Sequence, residues 1–352
     1  MRSDIKVAII LLNYNDYAKK YLEECYTSLI SQTYPTKFLK VFIVNNGANE
    51  ESQRLIETIA IHARFLHSER NLGWGGGNNM AVRVALKENF DYFVMLNIDT
   101  VVERDWLRCL VDVATGHKDI QIFQSKLLLY GTNRINSLGN RIHFLGYGYC
   151  NDYGREDSEF LRFKTIDFAS GATMLIKKAV FETIGLFRED YFMYYDDLEF
   201  CWRARLAGFN IGLVEQSICH HKYAFGDILS KLYYLQRNRL MTLLTLEKLA
   251  TILIIFPCLI VSEFVFTIYC IIVGWGKPQW KLCRYFFRME TWKLIVERRE
   301  QIKLIRSRKD SEIVKQFAGK IVFAEISNPL LRYVVNPFLW LYWIIARTLI
   351  FW

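Results

Sequence analysis

Short apolar runs alternate with segments of helical spacing over about the first hundred residues of the chain. Three runs rich in aliphatic side chains have the length of buried strands: residues 5–12, 39–45 and 92–96. Three intervening segments carry apolar side chains at the spacing of a helix: residues 17–33, 50–63 and 78–88. This order predicts an α/β domain with a largely parallel sheet.

The pattern changes between residues 120 and 175, where Gly, Asn and Tyr are frequent and indicate loops with short antiparallel strands. A strand is predicted over residues 173–176 and a helix over residues 177–184. Another helix is predicted over residues 196–207, where Gly208 stops it.

Polar triplets follow three of the predicted strands: Asn13-Tyr14-Asn15, Asn45-Asn46-Gly47 and Asn97-Ile98-Asp99. In open α/β sheets, ligands bind outside the carboxyl ends of the strands. The triplets therefore predict a binding site at that edge of the sheet.

Two apolar segments close the chain. Residues 249–275 contain one charged residue, Glu263, and exceed the roughly 20 residues needed to cross a bilayer. Residues 337–352 carry the Trp and Tyr side chains typical of membrane interfaces. The alternative is a pair of helices buried against the rest of the protein.

A basic segment separates these apolar segments. The chain has a formal net charge of +9, and residues 277–309 hold 11 Lys and Arg against 3 Glu. This clustering favours an anionic lipid surface over nucleic acid as the partner, with a solvated charged helix as the alternative. A single crossing by residues 249–275 would place the basic segment outside, against the positive-inside tendency. In-plane or re-entrant helices, with everything on the cytoplasmic side, are the favoured prediction.

Composition adds limits on the class of protein. The eight cysteines are irregularly spaced without a CxxC pair, which argues against a zinc site or disulfide framework and fits a reducing cytosol. The first apolar run is too short for a signal peptide. The 352 residues are predicted to form an α/β domain over residues 1–245 and a helical, basic, membrane-associated region over residues 246–352.

Two motifs near the predicted strand ends suggest binding of a phosphate or sugar and of a cation. The segment NLGWGGGNN, residues 71–79, allows close backbone approach to a phosphate or sugar, although a plain flexible loop has the same composition. Its position excludes a Rossmann fingerprint, and the absence of Gly-Lys-Ser/Thr excludes a P-loop. Asp99 follows a buried strand and is suited to hold a divalent cation, with a helix cap as the alternative.

The segment YYDDLEFCWR places three acids within four positions among aromatic side chains. Asp196 and Glu199 fit the first turn of a helix, and Glu199 with Arg203 forms an i,i+4 pair. A partly desolvated Asp197 is suited to act as a general base toward a hydroxyl. His220 and His221, about twenty residues later, are candidate nitrogen ligands for a metal, although core or surface packing is the commoner role.

Taken in order, NYN, VNNGANEES, NLGWGGGNN, LNIDT, SGATMLI, FMYYDDLEFCWR and HH resemble the family 2 inverting glycosyltransferases, most closely the rhamnosyltransferase-like members. The resemblance covers about residues 5–245. It implies the GT-A fold, a Rossmann-like nucleotide-binding half joined to an acceptor-binding half. It also implies a nucleotide-sugar donor and Mg or Mn as cofactor.

The resemblance assigns roles to individual residues. Asp197 matches the catalytic base, and Asp99 with His220 is expected to hold the metal. The acceptor side is assigned to Asp196, Glu199 and Arg203. Donor binding is assigned to the remaining matched positions: Asn13, Tyr14, Asn45, Asn71, Gly76, Gly77, Asn97 and Asp99. Asn45 and Asn97 stand where the family usually has acids. The change at Asn45 weakens recognition of the nucleotide base, and the change at Asn97 leaves Asp99 as the main carboxylate on the metal.

The implied activity is transfer of a single sugar from a dTDP-rhamnose or UDP-hexose donor to a hydroxyl of a lipid-linked or growing surface glycan. Single transfer is expected because LQRNRL, residues 235–240, lacks the Trp of the Gln-x-x-Arg-Trp element in processive members. Two alternatives are a nucleotidyltransferase or pyrophosphorylase, and a non-catalytic membrane partner of a polysaccharide assembly complex. The expected location is the cytoplasmic face of the cell membrane, with peripheral, re-entrant or integral attachment.

Overall fold

The computed structural model describes residues 4–150, 152–157, 163–224, 226–322 and 329–352. The chain divides into two units. The first comprises Met1–Asn140, Cys150–Ala204 and Phe209–Ala224; the second comprises Arg141–Tyr149, Arg205–Gly208 and Phe225–Trp352. The helix at residues 228–246 belongs to the second unit, so the division precedes the boundary predicted at residue 245.

Ten strands in the described residues form the sheet of the first unit. Their bounds are β1 Val7–Asn13, β2 Leu39–Asn46, β3 Arg64–Ser68, β4 Tyr92–Asn97, β5 Thr100–Val102, β6 Ile122–Leu129, β7 Ile135–Ser137, β10 Lys164–Thr165, β11 Thr173–Lys177 and β12 Ile211–His221. A separate pair in the second unit consists of β8 Arg141–Ile142 and β9 Gly148–Tyr149. The main order is β10-β12-β6-β11-β4-β1-β2-β3, with β5 on β12 and β7 on β6.

The parallel half of the sheet confirms the α/β prediction. Strand β1 runs parallel to both β2 and β4, and all three are almost entirely buried. Burial on both faces explains why these strands are continuous apolar runs rather than alternating ones. Asn13 lies opposite Asn45, and Leu12 lies opposite Asn97, so the three polar triplets emerge at one edge.

The second half of the sheet is mixed. Strand β11 is antiparallel to β4 and β6, whereas β12 is parallel to β6. Short strand β5 pairs with the end of β12, where Thr100 lies opposite His221 and Val101 opposite His220. This pairing brings the segment after Asp99 beside the two histidines.

Helices of the first unit connect and cover these strands. Their bounds are α1 Glu23–Ile30, preceded by a π-helix at Ala18–Leu22, α2 Glu50–Ile59, α3 Gly73–Leu86, α4 Trp106–Gly116, α5 Lys178–Ile184 and α6 Asp196–Leu206. The predicted helices are confirmed, but α3 begins at Gly73 rather than at residue 78.

The glycines of α3 allow the helix to pack closely on the sheet. A Cβ at Gly77 would lie 2.3 Å from Cδ1 of Leu12 on β1, and one at Gly76 would lie 2.8 Å from Cβ of Leu72. Glycine is a poor helix former, which is why the sequence alone indicated a loop. Here close packing outweighs that propensity.

Helices make up most of the second unit: α7 Ile228–Leu246, α8 Leu249–Ile272, α9 Gly276–Phe286, α10 Met289–Ile305, α11 Asp310–Val314 and α12 Asn336–Ala346. A C-terminal helical region is therefore confirmed. Among the described helices, α8 alone has the length and apolar composition to cross a membrane, and 28% of its most apolar stretch is buried.

Candidate active site

The first two strand ends are joined through their asparagine side chains. The Asn13 amide donates to Oδ1 of Asn45 at 2.7 Å, and Asn13 Oδ1 accepts from the backbone N–H of Ala18 at 2.7 Å. Both asparagines are fully buried, whereas Tyr14 is 37% exposed. The expected direct contact of Asn13 and Asn45 with a nucleotide is therefore replaced by a role in holding the strand ends, with Tyr14 accessible beside them.

The Gly-rich segment is held by a residue that received no separate role in the sequence analysis. Asn46 accepts from the N–H of Leu72 at 2.8 Å, and its amide donates to Oδ1 of Asn71 and to the carbonyl of Gly73, both at 3.1 Å. Asn71 in turn accepts from the N–H of Gly73 at 2.9 Å. These bonds fix the first turn of α3 against the end of β2.

Gly76 and Gly77 do not line an open donor loop, contrary to the sequence prediction. Both are buried within α3, where the missing side chains make room for Leu72 and Leu12. At Gly77 the missing side chain lets α3 approach the sheet closely, whereas at Gly76 it leaves room for Leu72, which directly precedes α3.

The turn after β4 presents Asp99. Asn97 Oδ1 accepts from Nε1 of Trp74 at 3.3 Å, and the Asn97 carbonyl accepts from the hydroxyl of Thr100 at 2.7 Å. The Asp99 carbonyl accepts from the N–H of Lys222 at 2.9 Å. These bonds hold the Asp99 backbone while its carboxylate stays 16% exposed.

His221, rather than the predicted His220, faces Asp99. Nε2 of His221 lies 3.4 Å from Oδ1 of Asp99, whereas Nε2 of His220 lies 3.3 Å from Oε1 of Glu103. Both histidines are on β12, and successive side chains of a strand point to opposite faces. Only one of the pair can therefore accompany Asp99.

The hydrogen bonding of His221 suits a metal ligand. Nδ1 of His221 lies 2.8 Å from Oδ1 of Asn136, which accepts a hydrogen bond when Nδ1 carries a proton. In the neutral ring with that tautomer, Nε2 would be the atom able to bind a cation beside the Asp99 carboxylate. Ligating histidines commonly have this arrangement, in which the second nitrogen donates to a neighbouring acceptor.

Asp197 lies in the first turn of α6, after a segment with unusual backbone geometry. Phe192, Tyr194 and Tyr195 have φ values of 66°, 63° and 69°, in the left-handed region that bulky residues seldom adopt. Such strain is concentrated at functional sites, where the surrounding structure enforces it. It supports a functional role for the turn that delivers Asp197.

The Asp197 carboxylate is half-buried and held by backbone donors. Oδ2 accepts from the N–H of Gly171 at 2.9 Å, and Oδ1 accepts from the N–H of Leu198 at 2.8 Å. Burial raises the pKa of Asp197, and these two hydrogen bonds act in the opposite direction. A raised pKa makes a carboxylate a stronger base, while the partial exposure leaves it accessible to a hydroxyl.

Trp74 and Gly171 lie within the motifs NLGWGGGNN and SGATMLI, but neither was predicted to belong to the site. A Cβ at Gly171 would lie 2.6 Å from the indole ring of Trp74. Trp74 thus contacts Gly171, which holds Asp197, and also donates to Asn97, two residues before Asp99. The signal that could have identified both positions is the combination of a lone Trp among glycines and a Gly directly before a strand.

The three residues assigned to the acceptor side, Asp196, Glu199 and Arg203, are buried, so their side chains are not exposed to an acceptor in this structure. Glu199 accepts from Nε and Nη2 of Arg203, each at 2.9 Å, and Arg188 lies 3.3 Å away. Arg203 also donates to the carbonyls of Leu186 and Ile184. The ion pair therefore anchors α6 to the preceding loop instead of contacting an acceptor.

Asp196 is buried next to the base. Its Oδ1 has no hydrogen-bond partner among the described residues, and a Cβ at Gly75 would lie 2.7 Å from it. Burial, and then the charge of Asp197, raise the pKa of Asp196 well above its usual value. The neutral acid is the form that such an environment favours.

Replacing Glu199 with Ala is expected to destabilise the fold by about 3–5 kcal/mol, because it leaves Arg203 buried without its carboxylate partner. Denaturant unfolding followed by circular dichroism measures the loss. Glu57→Ala, on an exposed helix position, is the matched control and should change stability little. A Glu199→Ala protein of unchanged stability and raised acceptor KM would restore the acceptor-side role.

Comparison with known proteins identifies the family. The model of glycosyl transferase family 2 matches residues 8–185, half of the chain. The chain is 29% identical over 211 residues to the low-salt glycan biosynthesis hexosyltransferase Agl10 of Haloferax volcanii, covering 58% of this chain and 64% of that protein. It is 23% identical over 274 residues to the rhamnosyltransferase WbbL of Escherichia coli, covering 70% of this chain and 98% of that protein.

Solved structures share the fold. The crystal structure of GalNAc-T7 with UDP, GalNAc and Mn2+ aligns with a TM-score of 0.54 at 12% identity, over 70% of this chain and 48% of that chain. The structure of S. aureus TarS 1-349 in complex with UDP aligns with a TM-score of 0.50 at 15% identity, over 98% of this chain and 91% of that chain. The fold is that of the GT-A glycosyltransferases, and the chain belongs to glycosyl transferase family 2.

Proposed function

We propose that the chain transfers a single sugar, with inversion, from a dTDP-rhamnose or UDP-hexose donor to a hydroxyl of a lipid-linked or growing surface glycan. The observation that carries the proposal is the half-buried Asp197 carboxylate, held by the N–H of Gly171 at 2.9 Å. The relatives named as a hexosyltransferase and a rhamnosyltransferase support the class of donor.

Asp197 acts as the general base in this proposal. It accepts the proton of the acceptor hydroxyl as the oxygen attacks the anomeric carbon, and the nucleoside diphosphate leaves from the opposite face. One displacement inverts the configuration, so one base suffices. The N–H donors of Gly171 and Leu198 fix the carboxylate and leave it no freedom to rotate away.

The donor nucleotide is proposed to occupy the edge where β1, β2 and β4 end. Tyr14 offers an exposed ring for contact with the base or ribose. Asn13 and Asn45 hold the backbone beneath it through their mutual hydrogen bond of 2.7 Å. Asn71, Asn97 and the start of α3 complete this edge, where the N–H groups of Leu72 and Gly73 are bonded to Asn46 and Asn71.

A divalent cation, Mg or Mn, fits the residues at the same edge. The donor set is a carboxylate from Asp99 and an imidazole nitrogen from His221, whose other nitrogen is already bonded to Asn136. The described residues contain no group of three or more His, Cys, Asp and Glu that could enclose a metal. Asp99 and His221 would therefore hold the cation together with ligands from outside the protein, such as the donor diphosphate and water. When bound, the cation offsets the charge that develops on the leaving diphosphate.

The chain's composition and its relatives support the proposed acceptor and location. Agl10 is named for glycan biosynthesis, and the basic segment at residues 277–309 favours an anionic lipid surface. We therefore place the protein at the cytoplasmic face of the cell membrane. Family membership disfavours the nucleotidyltransferase alternative and leaves the non-catalytic partner as the competing hypothesis.

A panel of dTDP- and UDP-sugars, screened for binding and for slow hydrolysis, tests the proposal. We expect one sugar class to bind and to be hydrolysed by the wild-type protein, and Asp197→Asn to bind it without turnover. The wild-type protein could instead bind donors but neither hydrolyse nor transfer any of them, even with a lipid-linked acceptor present. That result would favour the alternative in which the chain is a non-catalytic partner of a polysaccharide assembly complex.

A further inference from the structure

Helix α8 has one face that no described residue covers. Its outward positions recur every three to four residues along the whole helix and are entirely uncharged. They include Leu253 at 63% exposed, Phe264 at 66% and Ile272 at 77%, with the rest of the stripe formed by Leu249, Phe256, Ile260, Val261, Val265, Ile268 and Ile271. Contiguous exposed apolar surface of this length is rare on a soluble protein and indicates an interaction site.

The opposite face of α8 is attached to its own unit from end to end. The hydroxyl of Thr251 donates to Asp310 at 2.6 Å, and the Ile254 carbonyl accepts from the hydroxyl of Tyr342 at 2.5 Å. Further along, Thr267 accepts from the amide of Gln279 at 2.7 Å. The helix thus rests lengthwise on protein along its buried face.

An ion pair on this attached face argues against a membrane crossing. Glu263, the only charged residue of α8, pairs with Arg239 of α7 near the middle of the apolar helix. In a crossing helix this pair would lie close to the bilayer midplane, where charged side chains are costly. If α8 has lipid only on its exposed face, the pair of Glu263 and Arg239 stays on the protein side, away from the acyl chains.

Charge complementarity indicates the partner. Exposed basic side chains follow α8 directly on α9, where Lys277, Lys281 and Arg284 precede Arg288. A helix with an apolar face and neighbouring cations is the usual composition of an interfacial element on anionic lipid. Exposed Trp280 and Trp292 supply the aromatic rings that favour the headgroup level.

We infer that α8 lies in the plane of an anionic bilayer surface, with its Leu253 and Phe264 face among the acyl chains and its Glu263 face on the protein. The inference rests on the proposed membrane location and specifies that the protein binds the membrane from one side, as a monotopic protein. Helix α12 extends the same type of surface, because Phe338, Leu341 and Ile345 are exposed at helical spacing. A growing lipid-linked glycan would then meet an enzyme that stays on one side of the membrane.

The first experiment measures partition of the full chain onto vesicles of phosphatidylcholine and phosphatidylglycerol by flotation. Phe264→Asp with Leu253→Asp is expected to weaken partition on the order of tenfold or more, since each removes a large apolar side chain from the surface. Ile61→Asp, at a position 69% exposed in the first unit, is the matched control and should partition like wild type. Equal partition of all three proteins would overturn the inference. A wild-type protein that forms dimers and does not bind vesicles would also overturn it if Phe264→Asp dissociates those dimers. The exposed face of α8 would then be an interface between two copies of the chain.

The second experiment separates a monotopic from a crossing α8. Lys293 on α10 and Glu57 on α2 are both exposed, and each is replaced by Cys. Sealed membrane vesicles that contain the variants are then treated with a membrane-impermeant maleimide. Mass spectrometry of the labelled peptides is expected to find both modified from the same side. Modification from opposite sides would establish a crossing and overturn the inference while leaving the proposed sugar transfer intact. Loss of donor hydrolysis with same-side labelling would instead contradict the proposed function alone.

Discussion

Asp197→Asn is expected to lose sugar transfer while the fold and donor binding persist. Asn preserves the shape of the side chain but cannot accept the hydroxyl proton, and positioned general bases contribute roughly 10²- to 10⁴-fold to rate. Its amide oxygen can still accept from the N–H of Gly171, whereas the hydrogen bond from the N–H of Leu198 is lost, so a modest loss of stability is expected while the fold is kept. Initial rates with a saturating donor, together with donor affinity by calorimetry, measure the two effects separately.

Asp196→Asn is the neighbouring control for this prediction. The pKa of Asp196 is raised well above its usual value by burial and by Asp197, so its surroundings disfavour the charged form, and Asn is a neutral side chain of similar shape. Because the folded pKa lies above the unfolded one, the carboxyl costs stability once the pH exceeds the unfolded pKa. Asp196→Asn should therefore fold at least as stably at neutral pH. Equal losses of rate in the two variants would remove the specific role of Asp197.

The pH dependence offers a further check on the base. Burial raises the pKa of Asp197, and the base must be ionised to act. The rate kcat/KM is then expected to fall as the pH drops through this raised pKa, above the range of an exposed aspartate. A profile that stays flat down to the usual pKa of an exposed carboxyl would contradict the assignment.

Strands and helices were predictable where one physical effect dominated. Strands β1, β2 and β4 are buried on both faces, so their apolar runs carried the signal without any knowledge of neighbours. The start of α3 was not predictable, because Gly76 and Gly77 lower helix propensity and the compensating contact with Leu12 comes from a distant strand. Tertiary packing decides such positions.

In the candidate active site, too, long-range contacts limit what the sequence predicts for single residues. The sequence identified Asp197 and the pairing of Glu199 with Arg203, since both follow from local spacing. It could not determine that this pair is buried, or which of His220 and His221 faces Asp99. The histidine choice depends on the register of β12 against β5, which is set by long-range pairing.

His221→Ala is expected to abolish Mn2+ binding in the presence of donor and to lower transfer on the order of a hundredfold, whereas His220→Ala retains both. Nε2 of His221 lies 3.4 Å from the Asp99 carboxylate, but His220 is directed toward Glu103 on the other face of the strand. Even outer partners of a metal ligand typically contribute 10- to 100-fold, so loss of a ligand should cost at least as much. Mn2+ binding by calorimetry with unreactive donor analogue provides a readout that is independent of turnover.

Asp99→Asn and chelation complete the same test. Asn keeps a neutral oxygen at the site but removes the charge that holds a hard cation, so it should weaken Mn2+ binding in the same direction as His221→Ala. EDTA should stop transfer by wild-type protein, and added Mg or Mn should restore it. Full activity in EDTA, with Asp99→Asn still impaired, would mean that Asp99 and His221 form a direct ion pair in which His221 is protonated. In that case the His221 ring would be the imidazolium, with one proton on Nδ1 toward Asn136 and the other on Nε2 toward Asp99.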